Sequence, residues 1–295
     1  MCYNRRTDLV GIVLWISSSV ATSLPAQELA FPPLFLPYNY DVIVVRTLDE
    51  LKNVDRSNEA GLLADDAGEL RLLLAECATR QLPRIRIYAV GGDYSVADLD
   101  PILVQNLYLR ELKMARIAST NGFGENTRHD FSRLKSLAIM HSALDDKVAR
   151  RIAAFPALET LNLAGSEISE LTLTELLKSK SIRTLILWLP NRTGESTDLA
   201  FASISEDSQI VNLRITRSES TEESSLKHVA GFRRLQALHV GGIGAEFAAV
   251  LPNLKHLREL HIGFAVTASP ESQDLLLESI GSLNRLETLT LNEPA

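Results

Sequence analysis

Aromatic residues are scarce in this 295-residue chain: Phe, Trp and Tyr make up 6% of it, while hydrophobic residues of all kinds reach 45%. Sandwiches and barrels lean on large rings to fill their cores, so the shortage argues against them. Leu, Ile, Val and Met, 86 residues in all, must do the packing instead. Positive charge is also in deficit. Thirty Lys and Arg stand against 37 Asp and Glu, a net charge of −7, and no basic stripe interrupts the balance. Nucleic-acid binders concentrate Lys and Arg, so that partner class is not expected. Long apolar runs are missing as well. A membrane-crossing helix needs about 20 apolar residues, and the best candidate, near the N-terminus, is broken by Ser17, Ser18, Ser19, Thr22 and Ser23.

That N-terminal stretch instead has the layout of an export signal. Arg5 and Arg6 supply the positive end, Leu9 to Ile16 a short apolar stretch, and small residues lead to a cleavage position after Ala26. A retained anchor and an ordinary buried segment are the alternatives. Removing 1–26 takes away two Arg and one Asp, so −7 becomes −8. An extracytoplasmic location, secreted or periplasmic, follows as the expectation, with no stable membrane insertion after cleavage. Of the two cysteines, Cys2 leaves with the signal, so no intramolecular disulfide remains possible. Cys77, in the run Leu72-Leu73-Leu74-Ala75-Glu76-Cys77-Ala78, reads as a small buried hydrophobe rather than a reactive thiol.

What the chain does have is self-similarity. Leu158-Glu-Thr-Leu-Asn-Leu163 and Leu286-Glu-Thr-Leu-Thr-Leu291 match at five of six positions. The shared pattern, L-x-x-L-x-L with any aliphatic in the three slots, starts at Leu82, Leu109, Leu134, Leu158, Ile182, Ile210, Leu235, Leu257 and Leu286. The spacings are 27, 25, 24, 24, 28, 25, 22 and 29 residues. Chance alone fills three such slots about seven times in a chain of this length, so columns outside the motif carry the argument. Six residues before the starts lie Leu103, Ile152, Leu176, Ile204, Val229, Leu251 and Ile280. Nine before lie Leu73, Ala149, Leu173, Phe201, Leu226, Ala248 and Leu277, and three before, Phe131, Phe155, Phe232, Leu254 and Leu283. Apolar positions three apart describe one face of a short helix, while the L-x-L alternation describes a strand. Each repeat is therefore expected to be a helix, a turn and a strand.

These repeats resemble the leucine-rich-repeat superfamily over about residues 70 to 295, and their lengths look most like its helix-rich, ribonuclease-inhibitor-like members. The resemblance implies an α/β solenoid, a horseshoe of about nine repeats with a parallel concave sheet and convex helices. The expected organisation is a signal peptide over 1–26, a Pro-rich linker over 27–40, an N-terminal capping region over 41–80 and the repeat domain over 81–295. In the capping region, the strand-like Asp41-Val-Ile-Val-Val-Arg46 and a helix around Leu70 to Ala78 would cover the first repeat. The chain departs from the family pattern at one point. The Asn or Cys usual five residues after the second slot is Ser142 or Ser166 in two repeats, and Ile117, Pro190 or Ile243 in others. The segment Asn121 to Asp130 reads as a turn-rich loop in place of a helix.

In that architecture the residue splitting each L-x-L faces solvent on the concave sheet, the surface the family uses for binding. Here that column reads Arg86, Lys113, Ala138, Asn162, Ile186, Arg214, His239, His261 and Thr290. With the flanking columns, four cations face two carboxylates, Glu111 and Glu259, so a mildly basic surface on an acidic body is one expectation. Accidental scatter of solvated charge is the other. Ile186 and Trp188, with Met140 and Ala164 on the preceding strands, would form an apolar island. Trp188 reads either as an interface anchor or as a ring folded onto the sheet.

Catalytic and metal signatures are absent from the spacing. The histidines at 129, 141, 228, 239, 256 and 261 form no metal-ligand pattern, and His239 with His261 lacks a fixed third ligand. The glycines around 122 and 242 fit no phosphate-binding loop. Asp65-Asp66 and Asp145-Asp146 read as helix starts or solvated loops. No cofactor is expected. The functional expectation is an exported, non-catalytic scaffold for a protein or peptide. Recognition of an envelope glycan or other acidic polymer is the alternative, and an enzyme or an intracellular adaptor ranks behind both. Because the chain stops four residues after Leu291, an open C-terminal strand edge predicts weak self-association.

Overall fold

Each L-x-x-L-x-L segment closes a turn and then enters a strand, so the strands recur at the repeat spacing and stack in parallel. The computed structural model describes residues 42–64, 66–89, 103, 105–115, 117, 120, 123, 131–189, 201–202, 208–217, 223–243, 245–264 and 270–292. The stretches 1–26 and 27–40, and all but Phe123 of the loop expected over 121–130, lie outside them. Nine motif copies supply strands β3 (Arg84–Ala89), β4 (Glu111–Ala115), β5 (Ser136–Met140), β7 (Thr160–Leu163), β9 (Thr184–Leu189), β10 (Asn212–Arg217), β11 (Ala237–Ile243), β12 (Glu259–Phe264) and β13 (Thr288–Asn292). Two earlier strands, β1 (Val42–Val45) and β2 (Glu59–Ala64), lack the motif and still join the same sheet. All eleven run parallel, in chain order, and two short strands outside this sheet, β6 (Ala143–Leu144) and β8 (Glu167–Ile168), pair with each other. The 41–80 stretch thus continues the solenoid by two strands as well as adding helices, α1 (Leu48–Leu51) and α2 (Ala67–Thr79). Arg80 ties these units together, donating to the carbonyls of Leu51, Lys52 and Val54.

The L-x-L leucines turn inward and are fully buried at Leu112, Leu137, Leu161, Leu213, Leu238 and Leu260. Each is worth about 1.5–3 kcal/mol of apolar burial. The helix columns meet them from the other layer. Ala149 and Ile152 sit on α3 (Asp146–Ala153), and Leu173 and Leu176 on α4 (Glu170–Leu177), all buried. Leu226 and Val229 sit on a 3-10 helix (Glu223–Gly231), and Ala248 ends the short α5 (Ala245–Ala248). The last helix, α6 (Pro270–Gly281), corrects one column: Leu277 is exposed and Leu276 takes the core position. The longest repeat spacing, 29 residues, displaces the helix face by one place there. In α2, likewise, Cys77 rather than Glu76 faces the core beside Leu70, Leu73 and Leu74. Asp66, Asp145 and Ser169 cap α2, α3 and α4 with their side chains, as Ser and Asp do when they accept from first-turn N–H groups.

Two hydrogen-bond series hold neighbouring repeats in register. Ser166, fully buried, donates to the Ile139 carbonyl at 2.7 Å and accepts from the Ser142 amide at 3.2 Å. Ser142 Oγ in turn accepts from the Ile117 amide at 3.0 Å and donates to the Met140 carbonyl at 3.0 Å. The two serine hydroxyls therefore link three successive repeats through their backbones. At the other end of the strands, the carbonyls of Pro83, Arg110, Lys135, Glu159, Arg183, Val211, Gln236 and Arg258 each accept from two successive amides of the next repeat, at 2.7–3.0 Å. Phe123, Phe131 and Phe155 close the interior between repeats, Phe131 standing 5.1 Å and 5.2 Å from the other two by ring centroid.

Candidate functional site

Strand register, not sequence proximity, assembles the open face of the sheet. One residue per strand falls on a single row: Val44, Gly61, Arg86, Lys113, Ala138, Asn162, Ile186, Arg214, His239, His261 and Thr290. The middle column read from the sequence is therefore one continuous line of side chains. It is not uniformly open, which corrects the expectation of solvent-facing residues along its whole length. Ala138, Asn162 and Ile186 are buried. Strands stand about 4.8 Å apart, so a short side chain in the row is roofed by its neighbours. Asn162 also turns back on its own surroundings: its Oδ1 accepts from the Ala164 amide at 2.9 Å, and its Nδ2 lies 3.9 Å from Met140 Sδ. Ala164 sits in a turn just beyond β7, where its carbonyl accepts from the His141 amide at 3.1 Å. Met140 is half-buried, and the backbone of Trp188 pairs with Thr216. The Trp188 side chain lies outside the described residues.

The basic character expected of this face is halved by a carboxylate from β2. Glu59, at 2% exposure, takes Arg86 Nε at 2.6 Å on one carboxylate oxygen and Lys113 Nζ at 2.5 Å on the other. Arg84 Nε pairs with Glu111 at 3.3 Å beside them. One buried carboxylate bridging two cations from two strands gives each cation an ion-pair partner before any ligand arrives, and leaves the trio with a single net positive charge. Arg86 and Lys113 thereby become structural partners of Glu59. Motif reading overlooked Glu59 because β2, Glu-Ala-Gly-Leu-Leu-Ala, carries no L-x-x-L-x-L. The available signal was an acidic residue opening an otherwise apolar strand-like run.

The other end of the row is different. Arg214 is half-buried, and desolvation holds its guanidinium below the usual arginine range. Among the described residues it has no ion-pair partner. On the next two strands the rings of His239 and His261 stack, with centroids 3.9 Å apart and planes 11° from parallel. Desolvation first, then the adjacent His261 and Arg214, push His239 down to about 4. His261 is also lowered, chiefly by desolvation, with Glu259 acting in the opposite direction. Both rings are thus biased toward the neutral form, in which one ring nitrogen is an acceptor. Glu259, two residues before His261 on β12 and so on the same face, brings its carboxylate to the pair. One ligand atom from each of these three residues lies within 4.8 Å of the other two. The alternation of β12 held this third group all along, two places before His261.

A parallel sheet with one strand per repeat of 22–29 residues, helices on one side and a continuous side-chain row on the other, defines a leucine-rich-repeat-like solenoid. Neither a protein-family model nor a curated protein matches the sequence. Among solved structures, the chain is similar to one from the crystal structure of a TLR13–ssRNA13 complex. The TM-score is 0.42 and the identity 11%, with 85% of this chain and 39% of that one covered. The chain thus spans well under half the length of that neighbour. No helix among the described residues is long and apolar enough to cross a membrane.

Proposed function

We propose that this chain is an exported, non-catalytic scaffold of the helix-rich leucine-rich-repeat kind that captures a protein or peptide on the open face of its sheet. The observation that carries the reading is Arg214. It is a half-buried cation without a counter-ion among the described residues, in the middle of a rigid side-chain row. A desolvated charge is costly until it is paired, so the group it fits is a carboxylate brought by a partner. His239 and His261 extend the same patch with neutral, hydrogen-bonding edges, and Trp188 stands two residues after Ile186 on the adjoining strand β9. Weak pairing of chains through β13 belongs to the same reading.

Capture from extracts of the source cells, repeated in high salt, tests it. Arg214→Ala and Trp188→Ala should each weaken capture about tenfold or more, as loss of an interface anchor does, while Lys135→Ala, on an exposed ion pair with Glu159, changes nothing. Capture that survives both substitutions would remove the reading. Capture abolished by salt alone points to a charge-led contact with an acidic polymer instead. A mature N-terminus at Gln27 in an extracytoplasmic fraction tests the export component.

A further inference from the structure

We propose that His239, His261 and Glu259 form a binding site for one divalent transition-metal ion, of the zinc or cobalt kind. Two imidazoles and a carboxylate from adjacent strands offer three ligand atoms within 4.8 Å of one another. Strand pairing sets their relative places, since His239 is the direct partner of His261 across β11 and β12. Imidazole nitrogen suits zinc, copper and nickel, and a single carboxylate beside it keeps the set in the borderline class rather than that of magnesium or calcium. Donors around zinc lie about 2.0–2.2 Å from the ion, so closing the shell needs the stacked rings to tilt toward each other by roughly an ångström. Half-exposed side chains on an open sheet face can do this without moving the backbone.

The electrostatics agree with the geometry. Desolvation, with Arg214 beside them, lowers both imidazoles from the ordinary histidine range. Glu259 acts on His261 in the direction opposite to Arg214. His228 and His256 are placed differently: both are exposed, on the 3-10 helix and in a turn, and His256 faces Arg285 at 3.3 Å. Three protein ligands leave at least one coordination position open, as in metal sites that hold a water or an exogenous group. This site stands apart from the partner reading, because metal binding needs no partner.

The test uses the full, untagged chain, stripped of metal by a chelator and then titrated with zinc by calorimetry and with cobalt by visible absorption. One equivalent per chain is expected, with cobalt bands of a low-coordinate nitrogen and oxygen site. His239→Ala, His261→Thr and Glu259→Gln should each weaken zinc binding about tenfold or more, since even groups one shell further out cost that much. Thr290 occupies the next place on the row, so threonine at 261 keeps the strand intact, and circular dichroism confirms the fold. His256→Ala should bind as the parent does. Absence of stoichiometric binding overturns the proposal. So does binding that survives His261→Thr and Glu259→Gln in a folded chain, or that falls equally with His256→Ala.

Discussion

Replacing Glu59 with Gln should destabilise the N-terminal half of the sheet more than its single atom change suggests. The carboxylate is 2% exposed and holds Arg86 at 2.6 Å and Lys113 at 2.5 Å. An amide of the same shape can accept from one cation only and turns an N–H donor toward the other. Removing one partner of a buried ion pair costs about 3–5 kcal/mol. Arg86 keeps 30% of its side chain exposed and Lys113 12%, so both can partly regain water, which brings the expectation to about 2–3 kcal/mol. For a domain of this size that is a fall in Tm of roughly 4–12 °C. Circular dichroism melts of Glu59→Gln, Lys113→Met and the double variant measure it. The double variant should recover part of the loss, with a coupling of at least about 1 kcal/mol, because Met leaves no stranded charge. Additivity within about 0.5 kcal/mol would refute the reasoning, since the three side chains would then not form one network.

Two other predictions concern groups inside the solenoid. Ser166→Ala removes a hydroxyl that bridges the Ile139 carbonyl and the Ser142 amide. It should cost about 1–3 kcal/mol for the stranded buried groups, and amide exchange should rise first at Ser142. In a Cys2→Ser background, Cys77 should resist a thiol reagent at neutral pH, because burial pushes its thiol up to about 12. Its labelling rate should follow global unfolding in urea, and fast labelling without denaturant would place it outside the core.

Much of the architecture was legible because its signal is periodic. The inward leucines of L-x-L and the helix columns answer to one physical need, an apolar core between two layers, and that need writes itself into sequence. The row from Arg86 to Thr290 followed from alternation alone. What escaped were features that depend on a neighbour far along the chain. Glu59 lies 54 residues before Lys113 and sits on a strand without the motif. Alternation says which face the side chains of Ile186 and Asn162 take, not how deeply their neighbours cover them. Leu277 was misplaced by one position where the repeat lengthens, since a fixed offset cannot follow an insertion. Glu259 stood in plain sight two residues before His261. Spacing rules for metals count along the chain, though, and here the ligands gather across strands.

The paired-amide carbonyls from Pro83 to Arg258 also decide where this protein is free to grow. Each carbonyl holds the amides of the residue before the next strand and of that strand's first residue at 2.7–3.0 Å, so the turn before each of these eight strands admits no extra residue. Repeats that differ by as much as seven residues, from 22 to 29, must take up the difference after the strand instead. One border of the sheet is thus a seam held to constant stitch length and the other a hem that can be let out. A peptide graft or reporter placed after β9 or β12, where the two longest spacings fall, would be carried as slack, while the same insertion beside Lys135 or Gln236 would unpick the stack.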